Sequence, residues 1–178
     1  NTSQGYQAAY KFTTDGANDN IVLWTAGEVG YDASNPYRNS GARYFLPSED
    51  EWYKAAYYDP NHGGAGVGGY WEYATGSDKA PTPATSGTKE GTAVYSRQRG
   101  PANITNAGGL SSYGTMAQNG NALEWCESAK DGGNDLNSVS RVCRLRGGSW
   151  NSTSNILQSS FRLNHPPERR GLFIGFRV

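Results

Sequence analysis

Cysteine and histidine are scarce in this chain. It has two of each: Cys126 and Cys143, His62 and His165. There is no Cys-x-x-Cys redox pair and no thiolate and imidazole spacing of the kind a zinc site needs. An iron facial triad requires two histidines and a carboxylate converging, and His62 and His165 sit in unlike contexts. Charge is sparse and balanced, with 16 basic and 16 acidic residues making up 18% of the chain. A net charge of zero removes the electrostatic footprint of a nucleic-acid or membrane-surface binder. No apolar run reaches the roughly 18 residues of a transmembrane helix.

Glycine is abundant, at 24 residues, and aromatics reach 12% with five Trp and twelve Tyr. Such a composition implies many turns and little long helix. Large rings can still bury a core around little regular secondary structure. Tyr, Ser, Gly and Asn also make good contact surfaces, a style that points to a secreted or periplasmic recognition protein. At 178 residues the expectation is a single domain over 1–178, without internal repeats.

The clearest local signal is a helix beginning after Ser48. Ser48 and Glu51 have capping-box spacing, in which each side chain satisfies the other's orphan backbone N–H. Glu49 and Asp50 suit the positive end of the helix, and Asp59-Pro60 ends it. Trp52, Ala55 and Ala56 share one face, which is predicted to be buried. Before it, Ile21-Val22-Leu23-Trp24 is a candidate short strand. After it, residues 61–112 form a long decorated loop region. The glycines of 63–69 lack the Lys-Ser/Thr and the strand–helix frame of a phosphate-binding loop.

Cys126 and Cys143 lie seventeen residues apart on two predicted strands. Two buried thiols are one reading. The extracellular style favours the other, a disulfide, worth about 3 kcal/mol for a loop of this size.

Three motifs carry a family resemblance: Leu46-Pro47-Ser48 through Glu51-Trp52 to Ala55-Ala56; Gly120-Asn121 followed by Glu124-Trp125; and Arg146-Gly147-Gly148-Ser149-Trp150 answered by Gly175-Phe176-Arg177. In this order they resemble the formylglycine-generating enzyme, or sulfatase-modifying factor, family of C-type-lectin-like domains. The resemblance covers 40–178 and implies an α+β fold with one short capped helix and short antiparallel strands. It also implies that the family's usual N-terminal segment is lacking here. Without that segment the Phe173–Val178 edge would be unpaired, so a separate or cleaved chain supplying it is expected as a partner.

The family's oxidase binds copper(I) through two cysteines just after Arg-Gly-Gly-Ser. Here the segment 150–162 has none, and serine cannot replace a copper thiolate. Neither a copper nor an iron site is expected; a metal-dependent oxidase is kept as the alternative function, and a structural subunit of a secreted assembly as a second. Calcium is the metal the resemblance does imply, on carbonyls of Gly120 and Ala122 and the carboxylate of Glu124. Ala117 stands where the family has an oxygen-bearing side chain.

The tail is also similar to lectin-like proteins that bacterial and phage retroelements diversify at adenines. It keeps the pattern's fixed residues, among them Trp150, Leu157, Arg162, Pro167 and Arg170. The varied positions fall on Asn151, Ser152, Thr153, Asn155, Ile156, Phe161, Leu163, Asn164, His165, Pro166, Arg169, Gly171, Leu172 and Phe173. All of these can be reached from an Asn codon by changing adenines. The implied function is a non-catalytic module binding a protein or glycan through 150–173. Its contact residues would be Trp150, Asn151, Ser152, Thr153, Asn155, Ile156, Phe161, Leu163, Asn164, His165, Arg169 and Leu172.

Overall fold

Ser48 Oγ accepts a hydrogen bond from Glu51 N while Glu51 Oε2 accepts one from Ser48 N, and the helix α1, Glu49–Tyr57, starts there. A computed structural model describes residues 2–13, 20–130, 142–166 and 169–178. The helix buries Trp52, Ala56 and Tyr57; Ala55, expected on the same face, is only half-buried. Trp52, Ala56 and Tyr57 pack with Ala74 and Cys126, which belongs to the sheet below.

Around the helix run short strands: β1 Lys11–Thr13, β2 Asn20–Val22, β3 Tyr58–Asp59, β4 Gly69–Tyr70, β5 Thr82–Pro83, β6 Thr92–Ala93, β7 Leu123–Ala129, β8 Cys143–Arg146, β9 Leu163–His165 and β10 Ile174–Phe176. The Ile21-Val22 end of the expected early strand is in β2, paired antiparallel with β1. The glycine run of 63–69 closes the β3–β4 hairpin. The main sheet has the order β10-β7-β8-β9. Its β7, β8 and β9 are antiparallel, as expected, but β10 runs parallel to β7. β9 and β10 both run in the direction of β7, an arrangement that a tight hairpin between them could not make.

β7 is buried on nearly its whole length because α1 packs on it and β10 and β8 flank it on both sides. Tyr10 Oη donates to Glu127 Oε2 at 2.9 Å and Asn35 Nδ2 to Glu127 Oε1 at 2.8 Å, with Arg38 3.5 Å away. Burial pushes the Glu127 carboxyl up, against the pull of Arg38 and these hydrogen bonds. β10, in contrast, is an edge strand, and Phe176 and Val178 are largely exposed beside an apolar groove of about 350 Å³ shared with Phe12 and Tyr44.

The expected disulfide is not formed: Cys126 and Cys143 are both buried thiols. The register explains this. Leu145 faces Trp125, so continuing the ladder would set Arg144 opposite Cys126; a bulge then brings Ala129 opposite Cys143. The two sulfurs are never cross-strand partners. Burial pushes the Cys126 thiol well above its ordinary range, which keeps it protonated and unreactive.

Candidate recognition surface

The Arg-Gly-Gly-Ser motif makes the turn that launches the surface loop. Gly147 and Gly148 have φ +87° and +74°, the left-handed region that other residues avoid. A Cβ on Gly147 would lie 2.9 Å from Gln118 O, and one on Gly148 2.7 Å from Leu157 Cδ1. The turn is thus packed from both sides. It hands the chain to a short 3₁₀ helix, Ser154–Leu157, whose Leu157 is fully buried. Leu157 O receives hydrogen bonds from Tyr57 Oη at 3.1 Å and Asn119 Nδ2 at 2.9 Å.

From this anchored base the expected contact residues divide into two settings. In the first, Asn151, Thr153 and Asn155 are exposed, while Ser152 is half-buried and bonds back to Ser149. Ile156 packs against Tyr73, Ala93, Tyr95 and Leu157. Trp150 packs against Val94, Ala107 and Ala117, with its ring N–H buried. Trp150 therefore belongs to the support of the loop rather than to its free surface. The second setting is the outer strand. Leu163, Asn164 and His165 form β9 and are half-buried, with Asn164 accepting from Arg144 Nη1 at 3.0 Å. Phe161 is half-buried, whereas Arg169 and Leu172 are exposed, Leu172 at 90%. Pro167, one of the fixed positions, lies outside the described residues.

Beneath the second setting is a charge cluster that no local pattern announced. Glu49, in the first turn of α1, meets three guanidinium groups: Arg162 Nε at 2.6 Å, Arg144 Nε at 3.1 Å and Arg146 Nε at 3.6 Å. These are charge contacts without hydrogen-bond alignment, since Glu49 Oε1 gains no hydrogen bond from them. The Arg146 side chain is completely buried. Its guanidinium lies 5.3 Å from the Trp52 ring and 5.6 Å from each of Tyr53 and Tyr57. This aromatic cage supplies cation–π attraction in place of the missing water. Burial lowers the Arg146 pKa and pushes the Tyr57 hydroxyl up to about 12.

Of the three residues expected to hold calcium, Glu124 is engaged within the protein. Both carboxylate oxygens of Glu124 are occupied: Trp52 Nε1 donates to Oε2 at 2.7 Å, Arg177 Nε to Oε2 at 2.7 Å and Arg177 Nη2 to Oε1 at 2.8 Å. Gly120, whose carbonyl is the expected ligand, donates its N–H to Gly147 O in the turn. Among the described residues, no three or more His, Cys, Asp and Glu side chains gather as a metal group. His62 packs on Trp71, while His165 lies on β9. No helix among the described residues is long and apolar enough to cross a membrane.

A family model described as the sulfatase-modifying factor enzyme 1-like domain matches residues 20–178, starting earlier than the motifs alone indicate. No curated protein matches the chain. Among solved structures, Treponema denticola variable protein 1 is similar with a TM-score of 0.60 and 19% identity, over 99% of this chain and 63% of that one. CarF is similar with a TM-score of 0.50 and 21% identity, over 79% of this chain and 48% of that one. The chain therefore spans less than two thirds of either relative. At these identities the likeness establishes the fold, which is C-type-lectin-like and of the formylglycine-generating-enzyme type.

Proposed function

We propose that this chain, which belongs to the family of sulfatase-modifying factor enzyme 1-like domains, is a recognition module that binds a protein or glycan through residues 150–173. The carrying observation is the construction of that segment. Buried anchors, Leu157 and the packed Gly147-Gly148 turn, hold a loop whose Asn151, Thr153, Asn155, Arg169 and Leu172 face solvent. Polar and apolar side chains mixed on a fixed support suit a binding face. The similarity to Treponema denticola variable protein 1, together with the adenine-accessible pattern of the tail, supports reading these positions as free to differ.

Chemistry is disfavoured by what the same loop lacks. No thiol lies between Trp150 and Arg162, and the chain's two cysteines are buried in the sheet. The composition supports a secreted or periplasmic setting. The test is to load the purified domain with copper(I) and offer it a thiol peptide. Recognition predicts no tight copper binding and no oxygen uptake; both together would assign it oxidase chemistry.

A further inference from the structure

Resting on that recognition reading, we infer that the ligand of the 150–173 surface is an acidic protein segment, whose carboxylates are taken by Arg162, backed by Arg144, and by Arg169 and Arg170 of the same loop. The first ground is the partition of charge along a chain whose total is zero. Residues 142–178 hold six arginines, no lysine and one acid, Glu168, a net of 6 − 1 = +5. Residues 1–141 hold ten basic and fifteen acidic residues, a net of 10 − 15 = −5. Neutrality overall conceals a strongly basic C-terminal segment.

The second ground is how that charge is compensated. Arg177 is neutralised by Glu124. Among the described residues, Arg144, Arg146 and Arg162 share the single carboxylate of Glu49, leaving two positive charges in excess there. Arg146 Nε and Nη1 are buried without a hydrogen-bond partner, so water does not screen that charge. The excess reaches solvent at Arg162, whose side chain is 38% exposed. Its Nε touches Glu49 and its Nη1 donates to Ser160 O at 3.0 Å, while Nη2 has no hydrogen bond among the described residues. The guanidinium is thus held in place with one donor group to offer, which lowers the ordering cost of binding. Guanidinium groups match carboxylates in shape and charge.

An acidic peptide suits this surface better than a nucleic acid. Beside the arginines, exposed Leu172 and half-buried Phe161 supply apolar contact, the mixture found at protein interfaces. The net −5 of the rest of the chain would repel a long polyanion.

Labelled oligoglutamate, oligolysine and a short duplex DNA test this by fluorescence anisotropy at about 50 and about 200 mM salt. The expected result is binding of oligoglutamate that weakens with salt, with no binding of oligolysine. Arg162→Gln should weaken it about tenfold. The double variant Arg169→Gln/Arg170→Gln, which leaves the Glu49 cluster intact, should weaken it as well, and Lys79→Gln should not. Absence of oligoglutamate binding, indifference to the arginine variants, or tighter binding of the duplex would each overturn the inference. Loss of this result alone leaves the recognition reading standing, because photo-crosslinking from positions 151, 155 and 172 tests that reading without assuming the ligand's charge.

Discussion

Arg177 closes the last strand onto Glu124 with two hydrogen bonds, at 2.7 and 2.8 Å, and Trp52 adds a third to the same carboxylate. The residue that resemblance offers as a calcium ligand joins helix, central strand and C-terminus. Arg177→Ala should cost about 3 kcal/mol, because it strands a buried carboxylate. Millimolar calcium should leave the thermal midpoint of the unmodified domain unchanged. A calcium-dependent rise would show a site that uses other oxygens.

The helix cap should be visible in the pH dependence of stability. Partial burial opposes the charged form of Glu51, but the hydrogen bonds from Arg38 and Ser48 outweigh it and hold the carboxyl below its ordinary range. Because the folded-state pKa is lowered, this stabilisation is present above the unfolded value and is lost as pH falls through the folded one. Glu51→Gln should therefore cost about 0.5 kcal/mol at neutral pH, allowing for solvent screening, and nothing at strongly acid pH. Chemical denaturation at the two pH values measures the difference.

The Gly-Gly turn should tolerate little. Gly148→Ala introduces a left-handed non-glycine residue and a contact with Leu157, and should destabilise by about 2 kcal/mol. A substitution on the free surface, Asn155→Ala, should change stability by less than about 0.5 kcal/mol. Equal losses in both variants would mean that support and surface are not separate.

The thiols should behave as buried groups. A thiol reagent should label neither Cys126 nor Cys143 in the folded protein and both in denaturant without reductant. Failure to label either under denaturing, non-reducing conditions would show that they pair after all.

Local chemistry was legible in the sequence wherever it is short-range. The Ser48–Glu51 box marked the helix start, and the motif around Glu124-Trp125 fell on β7. The Gly147-Gly148 turn also lies where its motif placed it. What escaped was long-range or depended on register. Glu49 meets arginines about a hundred positions away, and no periodicity encodes that meeting. The Cys126–Cys143 spacing suggested a bridge, but the β7–β8 register, which sets Leu145 opposite Trp125, keeps the two from facing each other. Trp150 sits among candidate contact residues in sequence yet packs inward, because the turn aims it at Val94. Zero net charge excluded a polyanion-binding protein as a whole, but said nothing about how charge is divided along the chain.

The most direct test of recognition through the tail is site-specific photo-crosslinking in an extract of the source cells and their surroundings. A photoreactive residue is placed at position 151, 155 or 172, or at exposed Val67 on the β3–β4 hairpin as the control. The account predicts that the three tail positions capture the same partner and that position 67 does not. Capture from position 67 with none from the tail would contradict it.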